Sequence, residues 1–385
     1  MRILFVIDKM HNLAGIERIL SCKMNYISEQ TTYEIFLSTY EQQSQKLPFQ
    51  LNSKISHQPM DVPMPQWGKA TFPGWLKAYY HARRLYKQQF YHLLKDIQPN
   101  LVICTGYSFP VLDIIINMSN KLRARTIMES HTKGETVTMA HKAKYNPNLY
   151  RLLLLWDHHI LRSLKHCQCV VTLTKQDIPF WQQYAQRIEV IPNMLTITPK
   201  KVTDYETKRV ISAGRYMSEK GFDRLLNAWN IINNKFCDWH LYIFGNGNRS
   251  PYQQIADQYQ ISKTVHLMPA TDNIADEFSK SSIYVMSSRY EGFGLVLVEA
   301  MSCGLPCVSF DCPYGPREII TDGEDGLLAE DGDIKDLAQK MERLMADVEL
   351  RKSMGLKAIH NIARYQPEAV MAQWMNLFEN ISYQR

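Results

Sequence analysis

The 385-residue chain contains no apolar run near the ~20 residues that cross a bilayer. Residues 1–10, MRILFVIDKM, hold only five consecutive apolar residues before Asp8 and Lys9, too few for the core of a signal peptide and suited to a buried first strand. These absences point to a protein kept in the cytosol. None of the eight cysteines (Cys22, Cys104, Cys167, Cys169, Cys237, Cys303, Cys307, Cys312) belongs to a C-x-x-C pair, and most stand inside apolar strand or helix patterns. A zinc or disulfide framework is therefore not expected, and they read as reduced core residues. No nucleic-acid-binding motif is found. The composition also lacks the bias of disordered chains: 45% of residues are hydrophobic and 21% charged, and the length suits two domains, each with its own core.

Charge is unevenly spread. Residues 1–200 carry 24 Lys and Arg against 13 Asp and Glu, a net +11, whereas residues 201–385 carry 20 against 25, a net −5. A basic first half suggests an anionic partner, such as a membrane surface or a lipid diphosphate.

Strand and helix patterns alternate from the start, which predicts parallel sheets with helices on both faces. The first strand-to-helix junction reads DKMHNLAGIERIL, and Gly15 there can bring backbone amides close to a ligand where such folds bind them. A plain tight turn is the competing reading. Residues 59–74 combine Pro59, Pro63, Pro65 and Pro73 with Trp67 and Phe72, which predicts a long aromatic loop running into Trp75. The stretch that follows has a helical apolar spacing, with Lys77, Arg83, Arg84 and Lys87 on the exposed side, and suits either a membrane surface or an ordinary solvated face. The strand ARTIMES ends at Ser130-His131, and by itself a lone histidine there reads as structural rather than functional. The adjacent His158 and His159 do not share a helix face and are assigned no chemistry.

After residue 207 the alternation resumes. The strand RVISAG ends at Gly214, Arg215 projects beyond it, and Lys220 precedes a helix opened by Gly221 and Phe222. Two cations five residues apart across such a loop can close on one diphosphate. Gly245 follows the next strand. The densest stretch is residues 287–299, SSRYEGFGLVLVE. Gly292, Phe293 and Gly294 form a loop that feeds a helix opening near Leu295, whose free amides suit phosphate oxygens. Glu291 and Glu299 bracket that helix start and would reach opposite ends of an elongated ligand such as a sugar nucleotide. On these residues alone, a surface loop with solvated carboxylates remains an alternative.

Glu291, seven residues, then Glu299, with Gly-Phe-Gly inside and AMSCGLPCV after it, closely resembles the signature of the retaining glycosyltransferases of family four, and the region from Asp311, DCPYGPREIITDGEDGLL, resembles members acting on surface polysaccharides and lipid-linked oligosaccharides. The resemblance covers nearly the whole chain and implies an α/β GT-B fold, two Rossmann-like domains facing across a cleft. The implied limits are an acceptor domain at 1–195, a linker at 196–206, a nucleotide-sugar domain at 207–366 and a last helix at 367–385 crossing back. It implies that Arg215, Lys220 and Gly214 hold the diphosphate with Gly15, that His131 meets a sugar hydroxyl, that Asn193 marks the domain junction, and that Glu299 and Glu291 take the ribose and sugar ends. The implied activity moves a hexose or N-acetylhexosamine from a UDP-sugar to a glycan or polyprenyl-diphosphate-linked acceptor, with no metal or other cofactor; the net +11 of residues 1–200, with the aromatic loop and the basic helix after it, places the acceptor contact at the inner face of the membrane. A UDP-sugar 2-epimerase and a non-catalytic nucleotide-sugar-binding subunit are the alternatives.

Overall fold

A computed structural model describes residues 1–11, 15–43, 45–65, 72–142 and 147–383. Ala14 and Trp67, and most of the expected aromatic loop after Pro65, lie outside the described residues. The chain forms two compact units, Met1–Pro192 with Met371–Arg385, and Asn193–Val370.

The first unit is built on seven parallel strands: β1 (Arg2–Ile7), β2 (Glu34–Thr39), β3 (Ser56–Pro59), β4 (Leu101–Thr105), β5 (Arg125–Glu129), β6 (Cys169–Thr172) and β7 (Ile188–Val190). Their order is β3-β2-β1-β4-β5-β6-β7. β1 and β4 are continuous apolar runs because helices cover both faces, and Val6 lies in register with Ser38 on one side and Cys104 on the other. The second unit holds six parallel strands: β8 (Arg209–Ala213), β9 (His240–Phe244), β10 (Val265–Met268), β11 (Ile283–Met286), β12 (Cys307–Phe310) and β13 (Gly326–Ala329), in the order β10-β9-β8-β11-β12-β13. In each sheet the direction of strand addition reverses once, between β1 and β4 and between β8 and β11. Ligands of open α/β sheets bind at the carboxyl ends of the strands flanking such a reversal.

The cores follow from the apolar spacing. Helix Phe72–Ile97 buries Trp75, Tyr79, Ala82, Tyr86, Phe90 and Leu94 at steps of three and four, and helix Ile334–Ala346 buries Leu337, Ala338, Met341, Leu344 and Met345 behind an Asp333 cap. Three expectations change. Arg83 is turned inward, paired with Asp113 at 2.6 Å and with its guanidinium donating to the Pro110 carbonyl, because its place on the helix faces that neighbouring turn. Cys237 is exposed and Cys22 half-buried, while the other six cysteines are buried. Residues 196–206 do not hang free: Thr203 donates its backbone N–H to Cys303 and its hydroxyl to Ser281, both in the second unit.

Candidate active site

At the β8–β11 reversal two loops are stapled together. The first runs from Gly214 through a single turn at Ser218–Lys220 into helix Phe222–Ile232; the second runs from Ser287 to the start of helix Leu295–Ser302. Arg289 joins them three ways. Its backbone N–H donates to Glu219 O at 2.8 Å, one guanidinium nitrogen donates to Ser218 O at 2.6 Å, and the fork grips Asp223 at 2.9 and 2.7 Å. Ser287 Oγ adds a bond to Lys220 O at 3.0 Å.

This staple brings the two sequence motifs into contact. Lys220 Nζ donates to Glu291 Oε1 at 2.7 Å, and Ser288 Oγ donates to the same oxygen at 2.6 Å. Arg215 stands at the rim with its side chain 63% exposed and one contact to Glu219, 3.3 Å away. Gly245 permits the β8 and β9 ends to meet: a Cβ there would sit 1.8 Å from the Gly214 carbonyl oxygen. Gly294 caps the Leu295–Ser302 helix at φ +94°, a conformation other residues adopt only under strain, and no side chain caps the first turn. Leu297 N–H donates to Gly294 O at 2.8 Å, and the Leu295 and Val296 amides ahead of it are left for an outside acceptor. Gly292 is half-buried, and Phe293 is buried with its ring edge-on to Tyr365, centroids 5.5 Å apart. Glu299 lies on the second turn, only 4% exposed, and accepts from Thr196 Oγ1 at 2.9 Å. Asn193 is half-buried at the start of this unit.

In the first unit Gly15 opens helix Gly15–Gln30 beyond the β1 end. His131 sits just past β5, its side chain buried and its Nε2 3.3 Å from Glu129 Oε1. Glu129 also pairs with Lys23, whose ammonium lies 3.7 Å from the Trp374 ring centre. Burial pushes the Glu129 carboxyl up, but Lys23 first and His131 second outweigh it and hold it down to about 2; burial pushes the Lys23 ammonium the other way, down. A charged residue closing a strand of otherwise buried side chains was the available signal for Glu129. Nothing local marks Lys23, Thr196 or Arg289, which matter through partners 66 to 106 residues away, and Ser288 acts on Glu291 three residues on.

One Asp-x-Asp occurs, Asp331-Gly332-Asp333, after the last strand of the second unit. Asp333 caps helix Ile334–Ala346 through Lys335 and Asp336 amides, and Asp331 pairs with Arg224 at 3.4 Å, so both carboxylates have structural partners. Among the described residues no group of three or more His, Cys, Asp or Glu is placed to hold a metal.

The profile of the family described as glycosyl transferases group 1 matches residues 195–361. A curated Haemophilus influenzae protein, an uncharacterized glycosyltransferase, is 31% identical over 58% of this chain and 69% of its own length. The chain belongs to the group 1 glycosyl transferases. This group 1 transferase is also 24% identical, over 98% of its length and 99% of the relative's, to the amylovoran biosynthesis glycosyltransferase AmsD of Erwinia amylovora. Among solved structures it matches a variant of TarM from Staphylococcus aureus, in complex with alpha-GlcNAc-glycerol and UDP, at a TM-score of 0.63 and 25% identity, over 77% of this chain and 59% of that one. Its two parallel sheets are those of the GT-B fold.

Proposed function

We propose that this transferase moves a hexose or N-acetylhexosamine from a UDP-sugar to a hydroxyl of a glycan or lipid-linked acceptor, with retention at the anomeric carbon, in surface-polysaccharide biosynthesis. The observation that carries the reading is the stapled pair of loops at the β8–β11 reversal, which sets Lys220 beside Glu291, with Arg215 in the first loop and an uncapped helix start in the second. The bond from the anomeric carbon to the diphosphate breaks as the acceptor oxygen bonds to the same face, and the acceptor's proton passes to the departing phosphate oxygen. Negative charge grows on the diphosphate during that step. Lys220, Arg215 and the amides of Leu295 and Val296 are fixed donors for it, and such preorganised donors are worth about 3 kcal/mol each. Glu291, bonded to Lys220 and Ser288, meets the sugar end; Glu299, held by Thr196, meets the ribose. The cations fill the charge role that a divalent ion fills elsewhere. The likeness to TarM, whose complex holds UDP and an alpha-linked GlcNAc, supports the donor class and the α outcome.

Incubation with a panel of UDP-sugars, following free UDP and the sugar products, tests the reading. Slow UDP release without acceptor marks a transferase. A new UDP-sugar marks a 2-epimerase, and binding without turnover marks a binding subunit. We place the enzyme at an anionic membrane surface, where a polyprenyl-diphosphate-linked acceptor resides, on the strength of the +11 net charge of residues 1–200. Among the described residues no helix is long and apolar enough to cross a membrane, so this contact would be peripheral.

A further inference from the structure

An apolar groove of about 270 Å³ opens between helices Phe72–Ile97 and Pro147–Arg162 of the first unit. Its volume exceeds the ~150 Å³ apolar cavity known to stay dry and bind benzene, so it is large enough for a length of hydrocarbon. The floor is aromatic and rigid. Trp75 stacks on Tyr79 with centroids 5.0 Å apart, Trp156 stands edge-on to Tyr79 at 5.9 Å, and the paired Arg83 lies 5.6 Å from the Tyr79 and Trp156 ring centres. Tyr79 is itself tied to Pro110 O at 2.9 Å.

The rim is apolar and exposed. Of the large apolar side chains exposed among the described residues, Tyr80 and Leu155 lie on the groove itself, one on each helix, at 51% and 73% exposure. The rows that border the groove then run into cations. On the first helix, Leu76 and Tyr80 continue at helical spacing into exposed Arg84 and Lys87; on the second, exposed Arg151 precedes Leu155 and His159, and Arg162 follows. Neither row contains a carboxylate. Asp157 is buried beneath the second helix, accepting from the Met139 and Ala140 amides at 3.1 and 2.6 Å, and Asp96 lies at the far end of the first.

An apolar slot framed by cations with no opposing carboxylate fits a partner that is both hydrocarbon and anionic. We infer that this groove is the membrane-docking face of the enzyme and receives an acyl chain of an anionic bilayer, with Arg84, Lys87, Arg151 and Arg162 over the headgroup phosphates. The inference rests on the membrane-surface placement above and names where and how that contact is made. A partner protein with an acidic amphipathic helix shares the charge logic. The bilayer is favoured because the cations line both helices without the carboxylate-matching pairs that fix a protein register.

Flotation of the full-length protein with phosphatidylglycerol-containing vesicles, uncharged vesicles as control, tests the site. Trp fluorescence is recorded in parallel with vesicles whose acyl chains are brominated. Expected are binding that requires the anionic lipid and fades with salt, quenching by brominated chains that Trp156→Phe mostly removes, and at least a tenfold loss of vesicle affinity in Tyr80→Glu and Leu155→Glu. Both positions are more than half exposed, so these variants should fold and release UDP from donor at the wild-type rate. Failure of the wild type to float with anionic vesicles at low salt overturns the membrane placement and the groove together. Flotation that survives both Glu variants, or binding without quenching, overturns the groove and leaves the membrane placement standing; neither outcome touches the transferase reading.

Discussion

Glu129→Gln should destabilise the first unit by an amount that shrinks as pH rises. Lys23 and Glu129 are 2% and 1% exposed, so removing the carboxylate leaves a buried ammonium facing a neutral amide and the Trp374 ring. Breaking such a pair typically costs about 3–5 kcal/mol. The loss has a ceiling, because Lys23 can shed its proton instead. From an unfolded value of 10.5, deprotonation at pH 7 costs roughly 3.5 units, or about 5 kcal/mol, and at pH 9 only about 2 kcal/mol. In the variant the folded lysine binds fewer protons than the unfolded one, so variant stability rises with pH by up to about 1.4 kcal/mol per unit, and the gap to wild type narrows. For a unit of this size that is about 10–20 °C in Tm at pH 7 and 4–8 °C at pH 9. Scanning calorimetry at the two pH values measures it, with the second unit's transition unmoved. Adding Lys23→Met should recover much of the loss, since it removes the buried ammonium that the first substitution leaves unpaired. An equal deficit at both pH values, or no recovery in the double variant, would refute the argument that the paired charges carry the effect.

Arg215→Ala and Lys220→Ala should each lower turnover by about a hundredfold or more with a smaller change in donor affinity, read from steady-state UDP release. Glu299→Gln should weaken plain UDP binding in calorimetry, whereas Glu291→Gln should leave UDP binding nearly intact and reduce transfer; equal UDP losses would misplace the ligand along the site. The product should be α-linked by proton NMR, and EDTA should leave activity in place; a β-linked product, or activity lost in EDTA and restored by magnesium, would contradict the mechanism. Asp8, at the carboxyl end of β1, has its carboxyl pushed up to about 7 by burial, with Glu41 adding to the rise. Between pH 3.8 and 7 the unfolded chain therefore loses this proton before the folded one and stability falls as pH rises, so Asp8→Asn should raise Tm more at pH 8 than at pH 4.5.

The strand and helix alternation was legible because parallel strands buried on both faces leave unbroken apolar runs, as in β1 and β4. β3 was not. Ser56–Pro59 is polar, ends in proline and is held only as an edge strand beside β2, so its place is set by tertiary pairing rather than by its own pattern. Arg83 shows the same limit on a helix. Spacing grouped it with Arg84 and Lys87, but it stands at the edge of the face that buries Tyr79 and Tyr86, and Asp113 and the Pro110 carbonyl, contributed by neighbouring elements, decide its direction.

At the site, the legible residues are those whose chemistry is exposed in local order: glycines at strand ends, the cations before one helix and the carboxylates around another. What turns them into one constellation is long-range. The Lys220–Glu291 contact spans 71 residues and depends on Arg289, which reads in sequence as one more surface arginine yet fastens the first loop through Ser218, Glu219 and Asp223. Arg289→Lys keeps the charge and loses the fork, so it should separate geometry from electrostatics. If the staple sets the distance between Lys220 and Glu291, Arg289→Lys should depress turnover although it touches neither residue. Adding Lys220→Ala to it should then cost less than in the wild-type background, because a misplaced cation has less left to lose. Fully multiplicative losses in that cycle would mean that the two loops hold their places without Arg289.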